Sequence, residues 1–320
     1  MLINEKISLF ARDALKGLTA KNKYLLPKYF YDQNGSRIFQ QIMRMPQYYL
    51  TECEFNIFSE QASSIAKALV PAHGPFEIIE LGPGDGLKTK ILLQALTGIQ
   101  QDFTYVPVDI SIYALEKLST DLEQQFKGIK INKQAGDFFQ IMKDLSEQNG
   151  VQKIILFLGS NIGNFFPDEQ DEFLQLLSRM TAKGDKVLIG FDQKKSPDII
   201  IDAYDDPTGH TLDFNLNHLL RINHELDADF DISQFHHHTS YNPVTGAMKS
   251  YLVSKAEQIV TLGKLDKKIP FAKWEPIFME LSQKFNHEDI HLLAKDYGFE
   301  VSRNFSDKNN YFTDSLWIKT

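Results

Sequence analysis

The chain has 320 residues, 42% hydrophobic and 24% charged, with 34 basic against 42 acidic side chains and a formal net charge of −8. This is the composition of an ordinary soluble globular protein, long enough for about two domains, and it excludes disordered and collagen-like chains. An acidic chain without a long Lys/Arg cluster is not expected to bind nucleic acid. Apolar runs such as residues 154–158 fall far short of the about 20 residues that span a bilayer, so no membrane partner is expected. Met1 to Lys6 lack the basic start and apolar core of a signal peptide, and the single Cys53 excludes an internal disulfide and a Cys-rich zinc site. The expected location is cytoplasmic.

Residues 1–52 read as helical, with many polar and aromatic side chains. A buried strand at 76–81 is followed by a Gly/Pro turn and a helix at 87–96. A second strand covers 103–109, with Pro107 near its end, where a missing N–H does least harm. Leu115, Leu118, Leu122 and Phe126, spaced by three, four and four, mark one face of the next helix. A short strand at 129–131, a helix at 138–145, a strand at 153–158, a helix at 168–180 and a strand at 186–191 continue the alternation. Such an order demands a parallel sheet with helices on both faces. Residues 195–285 open with helices around Ile199 and over 215–222, then turn to strands at 230–235, 247–253, 257–262 and 277–281. His236, His237 and His238 sit in strand-like sequence, alternate between faces and cannot ligate one metal together; no metal is expected. A helix at 288–295, a strand at 299–301, a polar turn at 306–310 and a strand at 311–318 close the chain with an antiparallel hairpin. The expected architecture is α/β: a doubly wound core over 53–194 and 286–320, and a smaller α+β domain built from 1–52 and 195–285.

The first strand ends in Glu80-Leu81-Gly82-Pro83-Gly84-Asp85-Gly86 and runs into a helix. A strand, a glycine-rich turn and a helix let the backbone approach a ligand at the carboxyl end of the sheet. The spacing is not Gly-x-Gly-x-x-Gly, whose third position would be Leu87, nor that of a P-loop. It resembles motif I of class I S-adenosylmethionine-dependent methyltransferases, whose adenosyl group carries no phosphate. Asp109 ends the second strand, where a carboxylate can accept from both ribose hydroxyls. Asp137 and Phe138 follow the third strand and offer a carboxylate to an adenine amine and a ring edge to its face.

Beyond the core, the chain resembles the histidine-specific N-alpha methyltransferases of ergothioneine biosynthesis. The resemblance rests on Leu26-Pro27-Lys28-Tyr29-Phe30-Tyr31-Asp32, Gly35-Ser36-Arg37-Ile38-Phe39, Pro46-Gln47-Tyr48-Tyr49-Leu50-Thr51 and Phe157-Leu158-Gly159-Ser160-Asn161-Ile162-Gly163-Asn164. It extends to Ala203-Tyr204-Asp205-Asp206, Phe214-Asn215 and Glu280-Leu281-Ser282-Gln283-Lys284-Phe285. The resemblance implies a class I methyltransferase core, Rossmann-like and doubly wound with an antiparallel C-terminal hairpin, and a separate substrate-binding domain. It implies transfer of three methyl groups from S-adenosylmethionine to the alpha-amine of L-histidine, giving hercynine. Tyr48, Gly82, Lys88, Asp109, Asp137 and Phe138 would hold the methyl donor. Asn164 and Tyr204 would grip the amino and carboxylate end of the amino acid. Glu280 and Ser282, with Leu281 between them, would face the imidazole; Tyr31 would lie beside the amine as the catalytic residue, and Phe39 would line the pocket. One departure stands out: Ser250 occupies the place where the family has an apolar Met beside the imidazole, unless a two-residue slip puts Met248 there.

The same residues admit plainer readings in isolation. Tyr31, Tyr48 and Tyr204 suit a domain interface with hydroxyls at its rim, Asp109 suits a helix cap, Asn164 suits a turn, and Glu280 suits a solvated strand face. Two rival functions stay open on sequence: methylation of another aromatic amino acid such as a tryptophan derivative, and a non-catalytic binding protein that kept the fold. The expected partner is a small molecule, and the expected state is a monomer.

Overall fold

A computed structural model describes residues 8–99, 102–146 and 150–320; the start of the chain, where the signal-peptide reading applies, lies outside the described residues. In chain order they form α1 (Leu9–Leu18), α2 (Gln33–Ile42), α3 (Tyr49–Leu69), β1 (Phe76–Leu81), α4 (Leu87–Gly98), β2 (Phe103–Asp109), α5 (Ile112–Gln125), β3 (Lys130–Ile131) and β4 (Gln134–Ala135). Next come α6 (Phe138–Ser146), β5 (Gln152–Phe157), α7 (Pro167–Met180), β6 (Lys186–Asp192), α8 (Pro197–Tyr204), α9 (His210–Leu226), β7 (Phe235–Asn242), β8 (Ala247–Ser254) and β9 (Gln258–Leu262). The last are β10 (Lys267–Phe271), β11 (Pro276–Gln283), α10 (His287–Asp296), β12 (Phe299–Ser306) and β13 (Phe312–Lys319). The chain divides into two compact units: the described residues up to Tyr49 with Lys195–Ser282, and Leu50–Lys194 with Gln283–Thr320.

The second of these, the α/β unit, carries one sheet in the order β12-β13-β6-β5-β1-β2-β3, with β4 also paired to β2. The inner strands are parallel, and β13 runs antiparallel to both β6 and β12. This is the class I methyltransferase arrangement, Rossmann-like with an antiparallel C-terminal pair. Strands β1, β2, β5 and β6 are buried along nearly their whole length, as continuous apolar runs covered on both faces must be. From β1 the chain builds outward through β2 and then back through β5, so the order reverses between β1 and β5. Ligands of open α/β sheets bind outside the carboxyl ends of the strands at such a reversal. Two strands differ from expectation. The third is reduced to Lys130–Ile131 and resumes as β4. β12 runs five residues further than the expected 299–301, because a register shift between Val301 and Arg303 breaks the alternation without ending the pairing.

The segments by which the chain leaves and re-enters this unit lie side by side. Phe285 N–H donates to the carbonyl of Asp192, and Lys194 N–H donates to that of Phe285. The Lys284 ammonium meets Asp192 Oδ2 at 2.7 Å with both side chains fully buried.

In the α+β unit, β7 and β8 form an antiparallel hairpin with β11 next to β8, and β9 pairs with β10. Phe10, Leu18, Phe30, Ile38, Phe214 and Ile222 from the helices pack with Phe235, Leu252, Ile277 and Met279 from the strands. The strand expected at 230–235 is instead a 3-10 turn. Asp231 accepts from the Ser233 N–H, and the Asn223 side chain bonds both the N–H and the carbonyl of Phe230, so pairing starts only at Phe235. In β7, His237 is buried while His236 and His238 are exposed, as the alternation of a strand requires. Among the described residues no helix is long and apolar enough to cross a membrane.

One core residue makes a prediction. His218, on α9, is 1% exposed, and among the described residues neither ring nitrogen has a hydrogen-bond partner. Phe30 lies 5.3 Å and Phe10 6.3 Å from its ring. Burial first, and Arg221 second, lower its pKa from 6.5 to about 3. The unfolded chain therefore takes up a proton near pH 6.5 that the folded chain refuses until about pH 3, and stability falls as pH drops through that interval. Urea unfolding at pH 7 and pH 4.5 should show a smaller loss in His218→Phe than in the unmodified protein.

Candidate active site

The glycine loop sits at the carboxyl end of β1. Gly82, Gly84 and Gly86 all have left-handed backbones, with φ of +71°, +59° and +69°. They do different things. A Cβ added at Gly82 or Gly84 would meet no atom within 4 Å, so open space adjoins the loop there. One added at Gly86 would fall 2.3 Å from a methyl of Leu118, so this glycine seats α4 against α5. Glu80, the acid of the motif, is a fastening and points inward. It is 2% exposed and accepts hydrogen bonds from Thr89 Oγ1 at 2.8 and 2.9 Å and from the Tyr105 hydroxyl at 2.7 Å. Burial, partly offset by these bonds, raises its pKa.

The other residues that the resemblance assigns to the donor follow neighbouring strands. Asp109 ends β2 half-buried. Its Oδ1 accepts from Ser111 N–H at 2.8 Å, while the cap of α5 is Ser111 itself. Among the described residues no hydrogen bond reaches Asp109 Oδ2, which leaves it for a ligand. Gly136 N–H donates to the carbonyl of Asp109 and brings Asp137 next to it. Asp137 is exposed and bonds the Gln140 N–H in the first turn of α6; Phe138 stacks on Phe139, with ring centres 4.6 Å apart. Lys88, on the first turn of α4, forms an ion pair with Glu54. Asn164 closes a short 3-10 turn after β5 and is half-buried. That turn is shaped by Ser160, a non-glycine residue at φ +57°, and by Gly163, where an added Cβ would stand 2.6 Å from the carbonyl oxygen of Gln283. Gly82, Lys88, Asp109, Asp137, Phe138 and Asn164 thus all follow the carboxyl ends of the adjacent strands β4, β2, β1 and β5.

In the α+β unit the sequence motifs separate into supports and site. Asp32 caps α2 by accepting from Gly35 N–H at 2.6 Å and also receives the Asn217 amide. Asp206 accepts from Thr208 and from the His210 and Thr211 N–H groups at the start of α9. Its pKa is lowered to about 2: burial opposes the shift, but these donors outweigh it. What remains is a continuous set of rings. Tyr31 lies edge-on to Phe39 at 5.3 Å and to Phe214 at 5.6 Å; Tyr48 lies 6.2 Å from Phe39 and 6.3 Å from Tyr204. Tyr48, expected on the donor side, is packed within this set. Phe214 of α9 packs against both Tyr31 and Phe39, a position not visible in sequence, because a phenylalanine on an amphipathic helix reads as core.

The polar groups lie beside these rings. The Tyr204 and Ser282 hydroxyls are 2.8 Å apart and buried. Tyr31 is 48% exposed, yet its hydroxyl titrates well above the usual phenol range, from local desolvation first and then from the charge of Glu280 and from Tyr204. Glu280 and Ser282 share one face of β11, whereas Leu281 points to the other with Met279 and Ile277. Any contribution of Leu281 to a ligand comes through its backbone. Ser250 and Met248 also share a face of β8, and both are buried, at 2% and 1% exposure.

With this geometry in place, a family description fits the chain from end to end: that of the histidine-specific, SAM-dependent methyltransferases matches residues 10–319. The chain belongs to this family. A histidine N-alpha-methyltransferase of Mycobacterium tuberculosis is 34% identical over 308 residues, covering 96% of this chain and 94% of that protein. Ergothioneine biosynthesis protein 1 of Schizosaccharomyces pombe is 30% identical over 281 residues, 85% of this chain and 36% of that protein. More distant is a 4-dimethylallyltryptophan N-methyltransferase of Claviceps purpurea, 24% identical over 311 residues, 89% of this chain and 88% of that protein. This histidine-specific methyltransferase is thus an S-adenosylmethionine-dependent enzyme, and its open glycine loop and the unbonded oxygen of Asp109 suit an adenosyl group.

The loop yields a prediction. Gly86→Ala meets both a left-handed backbone and Leu118, and should cost roughly 2–4 kcal/mol in urea unfolding. Gly84→Ala meets only the backbone term, about 1–2 kcal/mol. Equal losses in the two variants would show that the Leu118 contact carries nothing.

Proposed function

We propose that the enzyme methylates the alpha-amine of L-histidine three times in succession, giving N-alpha,N-alpha,N-alpha-trimethylhistidine (hercynine). The observation that carries this reading is the placement of Glu280 beside Tyr31 and the Tyr204–Ser282 pair, within a set of aromatic rings. An imidazole N–H needs an acceptor, and a half-buried carboxylate supplies one, while the Ser282 hydroxyl bonds either tautomer. An indole also carries one N–H, but only an imidazole presents a second ring nitrogen for the Ser282 hydroxyl. The kinship with a named histidine N-alpha-methyltransferase over 96% of the chain supports the same substrate.

The methyl donor, held by Gly82, Lys88, Asp109, Asp137 and Phe138 of the α/β unit, supplies an electrophilic methyl group on a sulfonium. The protein's own task is placement, which is the main source of rate when the leaving group is already good. In the α+β unit Tyr204 holds the amino and carboxylate end of the amino acid, and Phe39 limits the space around the amine. Tyr31 keeps its proton at neutral pH, so its oxygen accepts a hydrogen bond from the amine; before each transfer the nitrogen releases one proton to water, and each transfer breaks the donor's S–CH3 bond as the N–CH3 bond forms, leaving S-adenosylhomocysteine. No side chain is assigned the role of a strong base. The reading is of a monomeric, cytoplasmic enzyme acting on a free amino acid, without nucleic-acid or membrane partner.

Mass spectrometry of histidine incubated with enzyme and S-adenosylmethionine should show gains of one, two and three methyl groups. Faster methylation of tryptophan than of histidine would overturn the substrate, and no transfer to any amino acid would overturn the activity. In calorimetry, Glu280→Ala should weaken histidine binding about 10- to 100-fold while sparing S-adenosylhomocysteine. Equal loss of both ligands would remove Glu280 from the imidazole site.

A further inference from the structure

Apart from the residues assigned to ligands, the α/β unit buries a second group of ionisable side chains against the glycine loop. Glu54, in the early turns of α3, is 2% exposed. Its Oε2 pairs with Nζ of Lys88, and its Oε1 accepts a 2.7 Å hydrogen bond from the Gly159 N–H. Lys88 follows the loop at the end of β1, and Gly159 lies just beyond the end of β5. A single carboxylate therefore joins the carboxyl ends of the two strands between which the sheet order reverses. Gly190 of β6 makes room for it, since a Cβ there would stand 2.7 Å from Oε1.

Behind Glu54 lies Asp314 of β13, the strand partner of Gly190 and 0% exposed; among the described residues no N–H or O–H is directed at either of its oxygens. Two buried carboxylates in hydrogen-bond reach of one another repel unless one carries a proton, which then bridges them. Burial, followed by the Glu54 charge, pushes the Asp314 carboxyl well above its usual range. The cluster then balances: one anion, one cation and one neutral acid. Burial disfavours the Lys88 charge, but the Glu54 carboxylate more than offsets it, so the ammonium is retained.

We infer that Glu54 is a positioning residue of the methyl-donor site, fixing the Lys88 ammonium and the Gly159 amide in one arrangement, with Asp314 bonded behind it. The inference rests on the reading that Lys88 contacts the donor. A lysine side chain has a flexible four-carbon stem, and ordering it on binding costs affinity. Glu54 orders it beforehand, and the same carboxylate sets the turn that leads to Asn164.

The test uses the full chain and S-adenosylhomocysteine as calorimetric probe, with histidine affinity and the separate KM and kcat for S-adenosylmethionine. Lys88→Ala tests the underlying reading, and unchanged S-adenosylhomocysteine affinity in that variant removes Lys88, and the inference with it. If Lys88→Ala weakens the probe, Glu54→Gln should weaken it about tenfold or more. The loss should appear mainly in KM for the donor, with histidine affinity retained. Wild-type donor affinity in Glu54→Gln, alongside a weakened Lys88→Ala, overturns the inference alone. Glu54→Asp retains the charge but draws it back by one methylene; it serves if the Gln variant does not fold, and wild-type donor affinity there overturns the inference equally. Asp314→Ala should also weaken the probe, and Asp314→Asn, which can donate to Glu54, should restore most of the loss. Equal loss in both Asp314 variants would sink the bridging role.

Discussion

The ion pair of Asp192 and Lys284 is the constraint on which the rest depends. The chain leaves the α/β unit after β6, builds most of a second unit, and returns, and both segments must meet the sheet at a fixed place. Two fully buried charges at 2.7 Å do this with direction as well as strength. Removing one partner would strand the other in a dry interior, at a cost of roughly 3–5 kcal/mol. The backbone pairing of Phe285 with Asp192 and Lys194 sets the register beside it. Through the close approach of Gly163 to Gln283, the returning segment also shapes the turn that presents Asn164. A junction that reads in sequence as a linker is among the most tightly determined parts of the unit.

Acids in the α/β unit fall into two groups by depth. Glu54, Glu80 and Asp314 are buried and engaged with the fold; Asp109 and Asp137 stand at strand tips with at least partial access to solvent. Only the second group meets water that a ligand can replace. The acid in the Glu-x-Gly-x-Gly-x-Gly sequence belongs to the first group: by holding Thr89 and Tyr105 it joins α4 and β2 to β1, and so fixes the loop that the glycines make.

Much of this was legible beforehand because it rests on local rules. The alternation of apolar runs and helical periodicity gave the parallel core, and the glycine spacing separated this loop from those that bind phosphates. The placement of Asp109 and Asp137 after successive strands was legible from the same alternation of apolar runs and turns. Other features depend on long-range packing and left no local mark. Glu54 looks like any glutamate on a helix, His218 like a solvated histidine, and 230–235 like a strand until Asp231 and Asn223 find their backbone partners. Asp314 carried a faint signal, since Thr313-Asp314-Ser315 interrupts an apolar strand, but only the neighbouring Glu54 gives that interruption a meaning.

The alternation along β11 has a consequence for how the enzyme can change. Ile277, Met279 and Leu281 face the interior, while Phe278, Glu280 and Ser282 take the opposite side. Under the proposed function, cohesion and recognition are written on interleaved positions of one strand, as two messages in alternate letters. Drift in one need not corrupt the other. A lineage can rewrite the even-numbered residues for a new amino acid while the odd-numbered ones keep the unit folded, and this separability gives a fold shared by histidine and tryptophan-derivative methyltransferases a route from one substrate to another.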